Sequence, residues 1–487
     1  MREAYKSIAD AVAKHAADRP DKLAIADGTG AYSYKELYDQ SIRAAAALQG
    51  RGIGRGDVVV VECTQDRVFL QLDLACELAG AVFVPVEEDV QAARLLEICE
   101  AARAAIVIAD RQDVPACPRI EPRELTEGVG GRSLTPTAAE GEAAAEILFS
   151  TGTTGKPKGV VLSNRANVAV AENIIYGTEM SEDAVELIPL PLSHSHGLRT
   201  CYAHLVNGST AVIARGVGNL GAYFELLGKY GVNALDLAPT MAKVLLQIGR
   251  QGLHEYRAQI EYIELGTAVL DEDVKTELKK CFQGARIYNF YGSTEAGRSC
   301  ILNINREDFV NCVGYPSRHA SFVITDAKRQ VIDSSEEHMG LLAVRGEMMM
   351  DGYLNSPELT KETMEGDLLY TSDMGYIDGD GRVYVVGRAD DIINYNGIKI
   401  APAEIERVAG NYAGIKDCVC VGVEDRVCGH IPKLYVELSA EAIDMRQFKD
   451  YLRQNLEASR IPAAVEVLDE IPRSPNGKVL RGELKRR

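Results

Sequence analysis

Short runs of valine and isoleucine alternate with helix-like segments through the first 150 residues of this 487-residue chain. DVVVVEC at 57–63 and AAIVIAD at 104–110 are apolar along almost their whole length. A strand of that kind is buried on both faces, and helices between successive strands supply the cover. The pattern predicts an α/β fold with parallel-type sheets, and a second region of the same type is expected from Ala143 to about Tyr315.

The pattern changes after Gly314, where short strands are separated by turn sequences such as Asp378-Gly379-Asp380-Gly381. This part is typical of an antiparallel β unit. After Asp390, strand and helix segments mix again. We therefore predict a large N-terminal domain, residues 1–389, made of parallel-type α/β subdomains plus a β subdomain. A small α+β C-terminal domain is expected at residues 390–487.

The acidic composition limits the partners that this chain can bind. The 53 Lys and Arg residues against 71 Asp and Glu residues give a formal net charge of −18, which repels nucleic acid and anionic membranes. No apolar run reaches the roughly 18 residues of a membrane span, and the N-terminus lacks a secretory signal. A cytoplasmic protein is expected, with its oligomeric state open. The eleven scattered cysteines are expected to be reduced core residues.

One segment has the composition of an anion-binding loop. Residues 147–159 read ILFSTGTTGKPKG, an apolar strand end followed by small, hydroxylated and basic residues. Glycines let backbone N–H groups approach an anion, and hydroxyls and lysines add donors and positive charge. The spacing differs from the common P-loop, because only two residues separate Gly152 from Gly155. The residues expected to hold a polyphosphate are Ser150, Thr151, Gly152, Thr153, Thr154, Gly155, Lys156 and Lys158.

The stretch STGTTGKPKG resembles the phosphate loop of the adenylate-forming superfamily, which comprises acyl- and aryl-CoA synthetases, peptide-synthetase adenylation domains and beetle luciferases. Four further segments occur in that superfamily's order, so the resemblance covers essentially the whole chain. It implies ATP, Mg²⁺ and CoA as cofactors. It also implies that the small C-terminal domain is a mobile lid over the nucleotide site.

Residues 190–198 read LPLSHSHGL and place two imidazoles at the end of an apolar strand. His-x-His is also a metal-ligand spacing, but the sequence offers no third ligand nearby, so zinc is the weaker alternative. The resemblance places His194 at the wall of the acyl pocket, as a candidate catalytic residue. The substrate-pocket residues that it implies are His194, His196, Gly197, Leu198 and Ala238.

Residues 288–297 read YNFYGSTEAG, an apolar β stretch that stops at a glycine. The side chains after it are expected on the loop at the C-terminal end of the strand, where open α/β sheets bind ligands. Glu295 is a hard oxygen ligand suited to Mg²⁺. The resemblance makes Thr294 and Glu295 catalytic, with Glu295 as the metal ligand. The nucleotide-binding residues implied in this region are Gly266, Thr267, Tyr291, Gly292 and Ser293.

The C-terminal third supplies the remaining candidates. Asp373 is expected just after a strand, where its carboxylate can accept both ribose hydroxyls, and Arg388 can donate to the ribose or the α-phosphate. The resemblance assigns both roles to these positions, a hinge to Asp390 and a CoA-side backbone approach to Gly397. It also implies that Lys478, at the tip of a Pro-Asn-Gly turn, is a catalytic lysine bridging the acid and the α-phosphate.

Three functional hypotheses remain. The first is an ATP-dependent carboxylate–CoA ligase, which forms an acyl-adenylate and then an acyl-CoA thioester, releasing AMP and pyrophosphate. The second is a stand-alone adenylating enzyme that loads the acyl group onto the phosphopantetheine thiol of an acyl carrier protein. The third is a nucleotide-binding sensor without catalysis. The small-molecule carboxylic acid is open, although Arg199 and Lys243 could hold a second carboxylate on it.

Overall fold

The computed structural model describes residues 5–114, 117–127, 140–151, 157–266, 270–395, 398–425, 429–439, 443–473 and 479–487. The chain divides into two units, each described here by itself. The first unit is Met1–Phe322 with Val344–Tyr370, and the second is Val323–Ala343 with Thr371–Arg487. The boundary at residues 389 and 390 stays a prediction.

The helices of the described residues are α1 Ile8–Asp18, α2 Tyr34–Gln49, α3 Arg67–Ala79, α4 Ala92–Ala102, α5 Arg123–Thr126, α6 Asn164–Gly177, α7 Ser195–Asn207, α8 Leu220–Lys229, α9 Pro239–Gln247, α10 Arg250–Tyr256, α11 Glu272–Cys281, α12 Pro357–Thr363, α13 Pro402–Gly410, α14 Met445–Asn455 and α15 Arg481–Leu484.

The strands of the first half are β1 Leu23–Ala26, β2 Ala31–Ser33, β3 Val58–Glu62, β4 Val82–Val86, β5 Ile106–Ile108, β6 Arg119–Ile120, β7 Ala144–Thr151, β8 Pro157–Ser163, β9 Val185–Ile188, β10 Thr210–Ile213, β11 Ala234–Leu237, β12 Tyr262–Leu265 and β13 Arg286–Ser293. Those of the second half are β14 Gly297–Asn303, β15 Cys312–Pro316, β16 Ala320–Thr325, β17 Gly340–Gly346, β18 Gly352–Tyr353, β19 Met364–Glu365, β20 Leu368–Ile377, β21 Val383–Arg388, β22 Ile393–Tyr395, β23 Ile398–Ile400, β24 Ile415–Asp425, β25 Gly429–Leu438 and β26 Ala464–Leu468.

Local sequence signals set the ends of the helices α2 and α3. Ser33 and Glu36 form a reciprocal capping box at the start of α2, each side chain accepting from the other residue's backbone N–H. Asp66 caps α3 by accepting from the N–H groups of Val68 and Phe69. The same helix ends at Gly80, whose φ of 80° lies in the left-handed region.

Two sheets with parallel cores form the first unit, which confirms the predicted α/β class. One sheet has the strand order β15-β14-β13-β12-β11-β9-β10-β1-β2. Neighbouring strands from β13 to β10 in this order are parallel, and β14 is antiparallel to β13. The other has the order β18-β8-β7-β4-β3-β5-β6, with β3 parallel to both β4 and β5. Val59, Val60 and Val61 of β3 are fully buried, as the unbroken apolar run requires.

The second unit is built mainly from antiparallel strands, as predicted. Strands β20 and β21 form a hairpin around the Asp378–Gly381 turn. Nearer the C-terminus, the order β23-β22-β25-β24, with β26 beside β25, forms a further sheet. Ile405 of α13 and Phe448 of α14 pack in its core with buried strand residues such as Cys420. This is the α+β pattern expected for the tail.

The described cysteines are free thiols, and most lie in the core as expected. Those fully buried are Cys63, Cys76, Cys99, Cys201, Cys300, Cys312 and Cys420, while Cys117, Cys281 and Cys418 are half-buried. Cys428 lies outside the described residues. None of the helices in the described ranges combines the length and the apolar character needed to cross a membrane.

Candidate active site

Several predicted site residues fall in parts of the chain that the structure leaves undescribed. Ser150 and Thr151 are described only as backbone of β7. The residues outside the described ranges are Gly152, Thr153, Thr154, Gly155, Lys156, Thr267, Gly397 and Lys478. Their roles stay predictions, and the site is described from the residues around them.

The predicted phosphate loop connects two antiparallel strands. Strands β7 and β8 pair along their length, with Thr151 opposite Pro157 and Ser150 opposite Lys158. Residues 152–156 therefore join the ends of a hairpin, and the half-buried Lys158 stands at its base. At Gly159 an added Cβ would lie 2.9 Å from Ile147 Cγ2 and 3.1 Å from Leu354 Cβ, so glycine is needed for this close packing.

A short strand connects this hairpin to Glu295, the predicted metal ligand. Strand β18 pairs with β8, with Tyr353 opposite Val160. The phenol of Tyr353 donates to Oε1 of Glu295 at 2.9 Å, and the N–H of Met350 donates to the Glu295 carbonyl at 2.8 Å. Burial and the neighbouring Glu295 both raise the pKa of Tyr353, so the phenol stays protonated and holds the carboxylate. The predicted site residues did not include Tyr353.

The turn that carries Glu295 is closely packed. It joins β13 to β14, and the N–H of Ala296 donates to Ser293 Oγ at 3.1 Å. A Cβ on Gly292 would lie 1.9 Å from the Gly297 carbonyl oxygen, so only glycine fits there. Strand β13 ends at Ser293, one residue later than expected. Thr294 and Glu295 lie on the turn at the strand's C-terminal end, as predicted.

Replacing Tyr353 with phenylalanine should weaken the hold on Glu295 while leaving the ring in place. We expect the KM for MgATP to rise about 10- to 100-fold, the loss of one hydrogen bond to a charged group, with a smaller change in kcat. Steady-state kinetics with varied MgATP measure both constants. Tyr176→Phe is the control, because Tyr176 is 49% exposed and far from this contact in sequence. An unchanged KM in Y353F would show that Tyr353 does not position the carboxylate.

The two imidazoles of the His-x-His segment have separate carboxylate partners. His194 is the N-cap residue of α7, and its Nε2 lies 3.2 Å from Oε1 of Glu87. That contact lowers the pKa of the Glu87 carboxyl. Nε2 of His196 lies 2.6 Å from Oδ1 of Asp236 instead. Within the described ranges, no group of three or more His, Cys, Asp or Glu side chains is placed to hold a metal ion.

Gln65 fixes the loop that precedes His194. Its amide nitrogen donates to the carbonyl oxygens of Leu190, at 2.8 Å, and Ala214, at 3.1 Å. Its amide oxygen accepts from the N–H of Leu192 at 2.9 Å. Gln65 follows β3, so these hydrogen bonds connect the end of one sheet to the loops after β9 and β10 of the other. Its φ of 48° is a strained conformation for a residue other than glycine. Gln65 was not among the predicted site residues, and no local pattern marks it.

Gln65→Leu keeps the approximate volume of the side chain and removes its hydrogen bonds, including those to three backbone groups. We expect kcat/KM for the acid to fall about 5- to 50-fold, because backbone groups at Leu190, Leu192 and Ala214 lose their partner and the His194 loop loosens. The acid dependence of AMP formation measures this. Gln91→Leu is the control, since Gln91 is exposed and its side chain does not cap α4. Equal rates for the two variants would contradict a positioning role for Gln65.

A buried polar network lies behind His196. Asp236 and Glu264 face each other on β11 and β12. Thr200 donates to Oδ2 of Asp236 at 2.7 Å, and Arg298 pairs with Glu264 and donates to the Thr200 hydroxyl. The Arg298 guanidinium also covers the Phe290 ring, 3.9 Å from its centroid. Burial raises the pKa of Glu264 to about 7, although Arg298 opposes the shift.

Glycines at two predicted positions leave room for neighbouring groups. A Cβ on Gly266 would lie 2.1 Å from the Phe290 ring, so this residue is packed against an aromatic side chain. At Gly197 a Cβ would lie 2.9 Å from the Leu190 carbonyl oxygen. Leu198 is fully buried in α7, and Ala238 is half-buried at the N-cap of α9.

Arg199 and Lys243 are both engaged in ion pairs. Arg199 is 2% exposed, pairs with Glu146 and lies over the Tyr202 ring. Lys243 pairs with Asp271 at 2.5 Å. Arg199 can be buried because its charge is paired with the Glu146 carboxylate, which is itself 1% exposed. A contact of either cation with a second substrate carboxylate stays a prediction.

The predicted ribose-binding residues lie opposite each other in the second unit. Asp373 and Arg388 are direct partners on β20 and β21, with Arg388 Nε 3.7 Å from Asp373 Oδ1. Asp373 lies inside β20 and not after a strand, because β20 continues beyond the polar residues 371–373 to Ile377. Tyr291, the predicted purine-stacking residue, is half-buried in β13 of the first unit.

The predicted hinge residue Asp390 follows β21 and is exposed. Its carbonyl oxygen accepts from Lys485 Nζ at 2.7 Å, and the same amine contacts Oδ1 of Asp391 at 2.9 Å. The chain after β21 is thus tied to the C-terminal helix α15 and its following residues. The hinge role itself stays a prediction.

Two family models match the chain. The model described as AMP-binding enzyme covers residues 12–354, and the model for the AMP-binding enzyme C-terminal domain covers residues 404–478. A curated relative, 4-coumarate–CoA ligase 3 of Oryza sativa subsp. japonica, is 30% identical over 94% of this chain and 87% of its own. Feruloyl-CoA synthase of an Amycolatopsis species is 26% identical over 96% of both chains.

Solved structures with the same architecture cover nearly the whole length. ATP-bound MatB from Rhodopseudomonas palustris has a TM-score of 0.89 at 26% identity, covering 98% of both chains. The o-succinylbenzoate CoA synthetase MenE from Bacillus subtilis, in complex with the acyl-adenylate intermediate OSB-AMP, has a TM-score of 0.87 at 24% identity, covering 98% and 97%. The second likeness supports the fold alone.

Proposed function

This chain belongs to the AMP-binding enzyme family and is an ATP-dependent ligase that joins an acid to a thiol. From this we propose that it is a carboxylate–CoA ligase. It would form an acyl-adenylate with release of pyrophosphate and then an acyl-CoA thioester with release of AMP. The observation that carries the proposal is the short connection from the β7–β8 hairpin through Tyr353 to Glu295. On this proposal, the connection would bring the Glu295 carboxylate, a hard oxygen ligand, towards the residues that hold the phosphates.

The first step needs charge neutralisation rather than a base. A free carboxylic acid has a pKa of about 4 and is already ionised near pH 7. The acid and ATP are both anions, so the site must align them and offset their repulsion. Hydroxyls, amides and lysines of residues 150–158 would surround the phosphates, and Thr294 would contribute a hydroxyl.

Magnesium fits the residues present. Glu295 offers a carboxylate held in place by Tyr353, and Mg²⁺ typically takes one or two protein carboxylates together with phosphate oxygens. When bound, the ion would neutralise phosphate charge. The protein's own part is to hold Glu295, to keep Lys158 at the hairpin base and to fix the His194 loop through Gln65.

We assign the remaining roles on the basis of the resemblance. Tyr291, Gly292, Ser293, Gly266 and Thr267 would surround the nucleotide base. Asp373 and Arg388 would bind the ribose, and both oxygens of one carboxylate can serve two hydroxyls. His194, His196, Gly197, Leu198 and Ala238 would line the acyl pocket.

The second step requires the small domain to move. We propose that Lys478 is near the reacting atoms in the first step and withdraws before the thiol attacks. Rotation at Asp390 would achieve this and would bring Gly397 to the pantetheine chain. Such domain motions often limit turnover.

The proposal is tested by measuring pyrophosphate release with a panel of aryl and aliphatic acids, with and without CoA. We expect AMP and pyrophosphate in equal amounts, and thioester only when CoA is present. Glu295→Gln should remove most of the activity, whereas the exposed control Glu358→Gln should not. A panel run with a phosphopantetheine-bearing carrier protein distinguishes the thiol: transfer to the carrier but not to CoA would overturn the CoA assignment. No pyrophosphate with any acid would overturn the ligase function.

A further inference from the structure

The His196 side chain has one ring nitrogen that is buried without a partner. The residue lies in the first turn of α7 and is 9% exposed. Its ring meets the Phe290 ring edge to face, with centroids 4.7 Å apart. Nε2 is paired with Asp236, but Nδ1 has no hydrogen-bond partner among the described residues. Buried polar atoms are nearly always satisfied, so an unpartnered nitrogen on a residue that the resemblance assigns to the acyl pocket points to a ligand atom as the missing partner.

The surrounding network determines which of the two ring nitrogens of His196 carries the proton. Oδ1 of Asp236 lies 2.6 Å from Nε2, and Oδ2 already accepts from the Thr200 hydroxyl. Nε2 is therefore the protonated nitrogen, and Nδ1 carries a lone pair. Burial lowers the pKa of His196, against the opposing effect of Asp236, so the ring is neutral at pH 7. Nδ1 can accept a hydrogen bond but has no proton to donate.

The position of His196 places this acceptor at the ligand-binding edge of the sheet. Helix α7 starts directly after the loop of His194, and Asp236 stands one residue before the C-terminal end of β11. Open α/β sheets bind ligands at that edge. The Arg298 guanidinium nearby is already paired with the carboxyl groups of Asp236 and Glu264. A second anionic group on the substrate would meet the Asp236 carboxylate and a cation that is already engaged, so a neutral donor is the favoured partner.

We propose that the acid activated by this enzyme carries a hydroxyl or N–H group on its tail, and that this group donates a hydrogen bond to Nδ1 of His196. The proposal rests on the proposed function, and it makes the Asp236–His196 pair a determinant of acid specificity. Asp236 holds the ring and fixes its tautomer, and His196 contacts the substrate. A pocket built to pair with a polar group discriminates against analogues that lack it, because its own polar atom is then left unpaired.

The test uses acids that differ by one donor group. One series is 3-phenylpropanoate with its 2-, 3- and 4-hydroxyl and 4-amino forms, and the other is hexanoate with its 4-, 5- and 6-hydroxyl forms. We expect at least one donor-bearing member to exceed its parent acid in kcat/KM by about 10- to 100-fold. No preference in either series, which a buried water at Nδ1 would give, overturns the proposal.

Two variants separate substrate contact from a structural role. His196→Phe removes both nitrogens, and the ratio between donor-bearing acid and parent acid should fall to about one. His196→Asn loses the Asp236 contact but keeps an acceptor near the Nδ1 position, so part of the ratio should return. If the Asn and Phe variants gave the same ratio, His196 would serve only to bind Asp236. A ratio unchanged in His196→Phe would also overturn the proposal.

Binding without turnover keeps the two proposals distinguishable. The rise in Tm that each acid produces without ATP reports its binding to the wild-type enzyme and to both variants. Acids that turn over without any donor preference overturn the His196 proposal alone. Donor-dependent binding through His196 without AMP formation overturns the ligase function alone. The Tm of each unliganded variant shows whether that variant is folded. If one variant does not fold, the comparison of donor-bearing and parent acids with the wild-type enzyme still tests the proposal.

Discussion

Replacing Lys478 with alanine is expected to slow acyl-adenylate formation by about 10²- to 10³-fold, the usual cost of removing one group that stabilises charge in a transition state. The reason is electrostatic. The acid and the α-phosphate are both negative, and the proposed role of Lys478 is to bridge them. The rate of pyrophosphate release, measured at saturating acid and MgATP, gives the size of the effect.

A control variant and the thioester-forming half-reaction show whether the effect is specific to Lys478 and to the first step. Lys449 is an exposed lysine at the surface of α14, so Lys449→Ala removes the same charge and should leave the rate within about twofold of wild type. Thioester formation from a supplied acyl-adenylate should survive in Lys478→Ala, because the lysine is proposed to act before the thiol attacks. Full-speed adenylation in Lys478→Ala would remove the basis of the proposed mechanism.

Replacing Arg298 with leucine is expected to lower the free energy of unfolding by about 3–5 kcal/mol, as when one partner of a buried ion pair is removed. Arg298 is 3% exposed, pairs with Glu264 and lies 3.8 Å from Asp236 Oδ2. Without it, both carboxylates remain buried without a cation. Urea unfolding followed by circular dichroism measures the change at pH 8.

Two comparisons isolate the charge effect. Arg306 forms an ion pair with Glu179 at 2.8 Å but is 65% exposed, so Arg306→Leu should cost less than about 1 kcal/mol. The second comparison is pH. Burial raises the pKa of Glu264 to about 7, and losing Arg298 would raise it further. A carboxyl with a raised pKa in the folded protein binds a proton more readily than in the unfolded chain, so folding is favoured as pH falls from 7 towards 4.5. The loss of stability in Arg298→Leu from this carboxyl exists only where Glu264 is ionised in the wild type and protonated in the variant, so the difference between the two should shrink as pH falls from 8 through 7. A difference that stays constant over this range would show that lost packing dominates.

Much of the fold was predictable because its signals are local. The apolar run of β3, the capping residues of α2 and α3 and the glycine at the end of α3 each act within a few residues. The turn that carries Glu295 was placed within one residue, since the apolar stretch and its glycine are adjacent in sequence. Asp373 was misplaced, because the alternating character of β20 hides its continuation to Ile377.

The residues that hold the site in place were not predictable from local pattern. Tyr353 contacts Glu295 across 58 residues, and Gln65 contacts Leu190 across 125. Both are ordinary polar side chains in unremarkable segments. The hydrogen-bond partners of Tyr353 and Gln65 depend on which strands lie side by side, as β18 lies beside β8. Sequence periodicity carries no information on this strand order.

The sequence by itself determined the class of fold, the positions of the glycine-rich loop and the acidic turn, and the family, since each depends on residues adjacent along the chain. Only the tertiary structure decided that Tyr353 holds Glu295 and that Asp236 and Arg298 lie beside His196, whose buried Nδ1 has no hydrogen-bond partner in the described part of the chain. The physical reason is that hydrogen-bond partners and burial are set by sheet order and register. These bring together groups that lie tens of residues apart, and the same side chains in another register would be solvated surface residues.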